Sequence, residues 1–371
     1  MMEPSRRPFI GLAFTLLLLA PEVWADDYTT PNTGVCWNLD SLVVHSGGVV
    51  AGSSQEFAFN GSVTISSLDT LIIDAGKTIL FDPGPGDVHL AAEGFLFAHG
   101  TAAKLITFTT TEHFPPGNWG GLRIGQGILE YCLVEYAVTG ITVNGVACLM
   151  NNRIIGNREG IRLNLFQGGG PVVIRDNLIH INLNGGILWD GGLDAGTPTG
   201  KQGDPLIEGN QILNNDAVGI HFAWGTRAII RDNLISYHYV GISSGPNDES
   251  IVVENTISEN VLGVLCDYDM FPGKLNLGDL GNHSPDDDGG NQIHDNIEFD
   301  VYNASAESIK AEGNHWGTSD PAAIDGHIYD NEEDVSDADG NGIISGPVDF
   351  IPTGETGVRR STWGRIKVRF K

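Results

Sequence analysis

An all-β solenoid, a parallel β-helix, is the fold this sequence predicts, and three observations carry the prediction. First, a phrase recurs: Asn-x-Ile, then a few residues, then Gly-Ile or Gly-Val. It reads Asn152-Arg153-Ile154 with Gly160-Ile161, and it returns at Asn177, Asn210, Asn233 and Asn255. Asn291-Gln292-Ile293 and Asn314-His315-Trp316 close the series, with steps of 25, 33, 23, 22, 36 and 23 residues. A period of 22–25 broken by two longer steps describes stacked units with two enlarged loops. Second, apolar residues alternate inside the unit, as at Val172 and Ile174 or Ile187 and Trp189, which is the period of a strand. Third, Asn and Gly accept positive φ, so each is expected at a bend between short strands. Three strands and three bends per coil give about ten coils, roughly 50 Å in length at about 4.8 Å per coil. An Asn at the same bend of successive coils would bond its neighbours above and below, so the repeated Asn is read as structural.

Taken in order, residues 1–25 resemble a secretory signal peptide. Arg6 and Arg7 precede the apolar run Phe9 to Ala20, and Val23-Trp24-Ala25 is a small-residue cleavage site. The run is too short to anchor the mature chain across a membrane. Ser5-Arg6-Arg7-Pro8-Phe9-Ile10 is similar to a twin-arginine export signal, or is simply a basic leader. The expectation is an exported chain in the periplasm, on the cell surface or outside the cell. Residues 26–60 read as an N-terminal cap, with Val43-Val44 and Phe57-Ala58-Phe59 strand-like. Short strands follow at Val63–Ile65, Thr70–Ile73, Thr78–Phe81, Val88–Ala92, Phe95–Ala98, Ile106–Thr109 and Leu122–Ile124.

Within that run a family resemblance emerges. Leu71-Ile72-Ile73-Asp74-Ala75-Gly76, the segment Gly94 to Thr101, and Ile106-Thr107-Phe108-Thr109 resemble bacterial secreted right-handed parallel β-helix proteins of the pectin-lyase-like superfold. Gly117-Asn118-Trp119-Gly120-Gly121-Leu122 and Gly313-Asn314-His315-Trp316-Gly317 match that family's landmarks too. The resemblance covers about residues 43–352. It implies a right-handed solenoid over 61–317, with a C-terminal cap at 318–352. It implies little about activity, because this solenoid carries lyases, hydrolases, epimerases and adhesins alike.

Composition narrows the partners. Residues 26–355 hold 12 cations against 45 acids, a net of -33, which repels nucleic acid and anionic membrane. Cys36, Cys132, Cys148 and Cys266 lack metal-ligand spacing. Cys132 falls eight before Gly140, as Asn152 falls eight before Gly160, and so takes a ladder position. Cys148 should point elsewhere, which rules out a disulfide between the two. Three residues before each ladder Asn come Leu149, Ile174, Ile207, Ile230 and Val252, an inward aliphatic stack. One position later, facing out, Arg175, Glu208 and Arg231 should form a solvated row of weak ion pairs.

Chemistry is expected where the array is interrupted. Excursions from Trp189 to Pro205 and from Cys266 to Asp288 leave the coil at the same position and should emerge on one side. With His221 and Trp224 between them, Asp190, Asp267 and Asp269 line a candidate carbohydrate groove of aromatics and carboxylates. The plainer reading makes Trp189 a core aromatic, the aspartates turn residues and His221 a surface residue. No acid stack with a partner Arg or Lys marks a pectate-lyase-type centre. Two function classes stay open. One is an exported, non-catalytic solenoid that binds carbohydrate or a cell-envelope component, or serves structurally. The other is a polysaccharide lyase, hydrolase or epimerase.

Near the end, Asp337-Ala338-Asp339-Gly340-Asn341-Gly342-Ile343-Ile344-Ser345 follows the first nine positions of an EF-hand loop. Asp337, Asp339 and Asn341 offer side-chain oxygens, Ile343 its carbonyl and Ser345 an oxygen or bridging water for Ca²⁺. Val348 stands where the bidentate Glu belongs, so the loop is a weak calcium site or an acidic turn. The tail, 353–371, reverses the charge: Ile366, Val368 and Phe370 alternate with Arg365, Lys367, Arg369 and Lys371. It is a recognition tail for export or surface attachment, a strand folding back on the acidic solenoid, or a disordered terminus.

Overall fold

In a computed structural model of the chain, the described residues are 27–82, 87–113, 115–165, 171–189, 204–223, 225–245, 247–267, 274–282, 284–333 and 345–351. Short strands stack into a 21-stranded and an 11-stranded sheet, in parallel except for the hairpin of Val50–Ser53 and Glu56–Phe59 at one end. One full coil shows the plan. Val172–Arg175 runs to the bend at Asn177, Leu178–His180 to a second bend at Asn182, Gly185–Trp189 follows as the third strand, and Leu206–Glu208 opens the next coil. Each strand pairs with its equivalent in the next coil: Ile174 with Ile207, Ile179 with Ile212 and Ile187 with Ile220. The chain is therefore a right-handed parallel β-helix of the pectin-lyase-like kind. Parallel pairing also passes the expected boundaries of 61 and 317, since Tyr28–Thr29 pairs with Val63 and Thr64, and Val348–Asp349 with Ile309 and Lys310.

Alternation fills the interior. Leu149, Ile174, Ile207, Ile230 and Val252 stack in register and are all inaccessible to solvent. Outside them, Glu208 pairs with both Arg175 and Arg231, the expected ionic row. Trp189 is buried and meets Phe222 edge-on, the core role that alternation assigns it. Trp119, from the landmark Gly-Asn-Trp, stacks on Phe81 inside the coil and donates its indole N–H to the Glu135 carbonyl.

The Asn ladder forms as expected. The Oδ1 of Asn177 accepts both the backbone N–H (2.9 Å) and the Nδ2 (3.0 Å) of Asn152, while its own Nδ2 donates to Asn210 Oδ1 and to Leu149 O. The pattern continues through Asn210, Asn233, Asn255 and Asn291 to Asn314. Cys132 begins it, its N–H donating to Asn152 Oδ1, and all four cysteines are free.

Several expectations are extended or corrected. A second ladder, five residues after the first, runs through Asn157, Asn182, Asn215, His238, Asn260 and Asn296 at the next bend. The positive-φ position is the residue before each ladder Asn, as at Asn151, Asp176, Asp232 and Glu254, not the Asn itself. The glycines of Gly-Ile answer to close approach instead: a Cβ on Gly186 would lie 2.6 Å from the Gly219 carbonyl of the next coil. Finally, Val43 and Val44 are not in a strand but in the helix Leu39–His45. Asn38 and Ser41 form a reciprocal capping box, and Leu39 and Leu42 bury one face, which a strand-like reading of two valines overlooks. Val88–Ala92 and Phe95–Ala98 are one strand, His89–His99, long enough to cross from one face of the coil to the next.

Candidate functional site

The residue after each Gly-Ile faces outward, and register stacks these positions in a column. Arg162 pairs with Leu188, Leu188 with His221, His221 with Ser243, and Ser243 with Leu265. Arg162, His221 and Leu265 are half-buried, while Leu188 and Ser243 are buried, shielded by their neighbours one coil away. Glu159 lies three residues before Arg162 and grips it through Arg162 Nε (2.9 Å) and Nη2 (2.6 Å), while Thr139 Oγ1 donates to the same carboxylate. Burial works against the charge on Glu159, but these hydrogen bonds outweigh it and hold the carboxyl below its usual range.

His221 is the centre of the patch. Its Nδ1 lies 3.2 Å from Ser243 Oγ. Burial pushes its pKa down; the field of Asp267 opposes that shift and the field of Arg162 adds to it. His221 is therefore a neutral imidazole at pH 7, flanked by a hydroxyl, a guanidinium and an exposed carboxylate. Such a set can donate and accept hydrogen bonds to a hydroxyl-rich ligand, and the ring can accept a proton.

Of the expected groove residues, the structure brings His221 and Asp267 together. Asp190, Trp224 and Asp269 lie outside the described residues, as do Asp337, Asp339, Asn341 and Ile343 of the calcium loop. Ser345 is described and buried. Arg162, Glu159 and Ser243 were not singled out from the sequence, although the signal was present in the repeat: each sits at a fixed offset from a Gly-Ile.

With this geometry in place, comparison with known proteins adds a family. The family described as "Periplasmic copper-binding protein (NosD)" matches residues 134–332. The chain belongs to the NosD family. Membership of a periplasmic family agrees with an exported chain, and among the described residues no helix is long and apolar enough to cross a membrane. No curated protein sequence matches. Among solved structures, the periplasmic alginate epimerase AlgG aligns at 12% identity and a TM-score of 0.38, over 86% of this chain and 82% of that one. Two of its variants give 12% and 11% identity, each with a TM-score of 0.39, over 86% of this chain and 82% and 83% of theirs. Likeness at that level carries no argument about substrate or reaction.

Among the described residues, the donors form no cluster of the kind that copper in the family's description would call for. Among the described residues no three of His, Cys, Asp and Glu converge on one point. Cys132 and Cys266 lie inside the coil, where burial pushes both thiols far up and away from the thiolate that copper prefers. Both ring nitrogens of His238 are occupied by the second ladder.

Proposed function

We propose that this NosD-family solenoid binds a glycan, or another hydroxyl-rich polymer of the cell envelope, along the face carrying His221, without turning it over. The observation that supports the reading is the outward column itself. Arg162, His221 and Leu265 are its partly exposed members, so charged, polar and apolar contacts lie along one line as a polymer's units do. A neutral imidazole suits sugar hydroxyls, and Leu265 suits the face of a ring. The acidic body disfavours a polyanion, so a neutral or cationic glycan is the class expected.

A glycan array on the exported chain tests this. His221→Ala and Asp267→Ala should each weaken binding of the same glycan while leaving the unfolding midpoint nearly unchanged, since both side chains face outward. Binding that ignores both changes would place the ligand elsewhere. A second reading, a lyase, hydrolase or epimerase acting on a polysaccharide, rests on the neutral state of His221, which a general base requires at pH 7. Product release from a bound glycan, lost in His221→Ala, would select that reading over the first.

A further inference from the structure

The solenoid carries a second outward column, on the face opposite in sequence phase to the buried Leu149–Val252 stack. Ile128 pairs with Cys148, Cys148 with Val173, Val173 with Leu206, Leu206 with Ile229, and Ile229 with Ile251. Their chain neighbours Leu129, Leu149, Ile174, Ile207, Ile230 and Val252 are wholly buried, so strand alternation turns these six outward. All six are partly exposed. An apolar stripe over these six coils, which Phe97 and Ile72 extend at the Ile128 end, is not what a solvated sheet face displays, where polar residues normally alternate with the buried ones. Along one edge of the stripe run Met150, Arg175, Glu208 and Arg231, and along the other Arg227 and Glu249 form an ion pair at 3.9 Å.

We propose that this stripe is a two-fold interface with a second copy of the chain. The stripe crosses the strands rather than following one, so an extended peptide laid along it would set its backbone N–H and C=O groups against aliphatic side chains, unpaired. A second flat sheet face presents no such groups, because its own ladder already satisfies them. The ionic row fits a copy of itself. A two-fold axis lying across the sheet, between the Val173 and Leu206 layers, reverses the order of layers and keeps the row on the same edge. Val173 then meets Leu206 of the second copy, Cys148 meets Ile229, and Ile128 meets Ile251. In the row, Arg175 faces Glu208 of the second copy and Glu208 faces its Arg175, which is the self-complementarity an isologous contact requires. Met150 meets Arg231, so no like charges oppose across these layers. Six layers and two outward columns span on the order of 400 Å² per copy from strand spacing and rise. Stable complexes bury about 800 Å² per partner, so the association is weak and reversible.

Sedimentation equilibrium of the full exported chain over a wide concentration series tests this. A monomer–dimer equilibrium is expected. Leu206→Glu should weaken it by at least about tenfold, since a carboxylate would enter an apolar contact, while the unfolding midpoint stays near wild type. Should that variant fail to fold, Val173→Lys in the adjacent layer serves the same purpose. Leu234→Glu, an exposed position on the 11-stranded sheet, is the control and should leave the dimer intact. A chain that stays a single copy throughout, a dimer that survives the stripe variants in folded protein, or one lost equally in Leu234→Glu would overturn the assignment.

Discussion

His238 is the one imidazole in the second ladder, and it sets a pH limit on the fold. Its Nδ1 lies 3.0 Å from Asn260 Oδ1, an atom that only accepts, so Nδ1 carries the proton. Its Nε2 lies 3.2 Å from Asn215 Nδ2, an atom that only donates, so Nε2 must keep its lone pair. A second proton on the ring would set two donors against each other in a site that is 4% exposed. Burial accordingly pushes the pKa down to about 4, with the bond to Asn260 pulling the other way. The unfolded chain takes up this proton first, near pH 6.5, so stability declines as pH falls from about 6.5 and levels off below about 4. The gap corresponds to about 3 kcal/mol in full, and to about 2 kcal/mol at pH 5. Replacing His238 by Asn restores the amide that every other rung carries and removes the titration. Denaturant unfolding of wild type and His238→Asn across pH 4–8 should give curves that agree in shape above pH 7 and diverge below 6.5, the variant losing less. Other titrating groups are common to both chains and cancel in the difference. Two parallel curves would refute the reasoning, because they would mean the imidazole is protonated without cost and is not a ladder member.

Two further outcomes follow from the ladder and the C-terminal loop. Asn233→Leu removes an oxygen that accepts from Asn210 and an amide that donates to Ile207 O and Asn255 Oδ1, leaving buried groups unpaired at about 1–3 kcal/mol each. Its unfolding midpoint should fall sharply, and an unchanged midpoint would contradict a buried rung. We propose that the loop 337–345 takes Ca²⁺ weakly, with Kd of roughly 10⁻⁴–10⁻³ M because Val348 replaces the bidentate Glu. Millimolar calcium should then raise the melting temperature, EGTA should reverse the rise, and Asp337→Ala with Asp339→Ala should abolish it. An identical response in wild type and the double variant would reduce the loop to an acidic turn.

The sequence by itself determined the solenoid. The Asn-x-Ile and Gly-Ile phrases fix a period, the alternation fixes strands, and a buried amide ladder stands at a bend that successive coils share. The inward stack from Leu149 to Val252 and the outward row of Arg175, Glu208 and Arg231 followed from the same counting, because a strand's side-chain period is two whatever the tertiary setting. The helix at 39–45 escaped it, since two valines say strand locally while the Asn38–Ser41 box and the open end of the coil favour a helix. His238 hid the second ladder, because a rung need not be Asn if a ring nitrogen can play each part of the amide. Only the tertiary structure decided which side chains become neighbours across coils. Arg162, His221 and Ser243 are 22 to 81 residues apart, yet they share one column, with Leu188 between Arg162 and His221, because the coils keep their register whatever the sequence interval. Hydrogen-bonded pairing, not sequence distance, sets which residues share a face, so the patch around His221 and the aliphatic stripe on the opposite phase appear only when the coils are stacked.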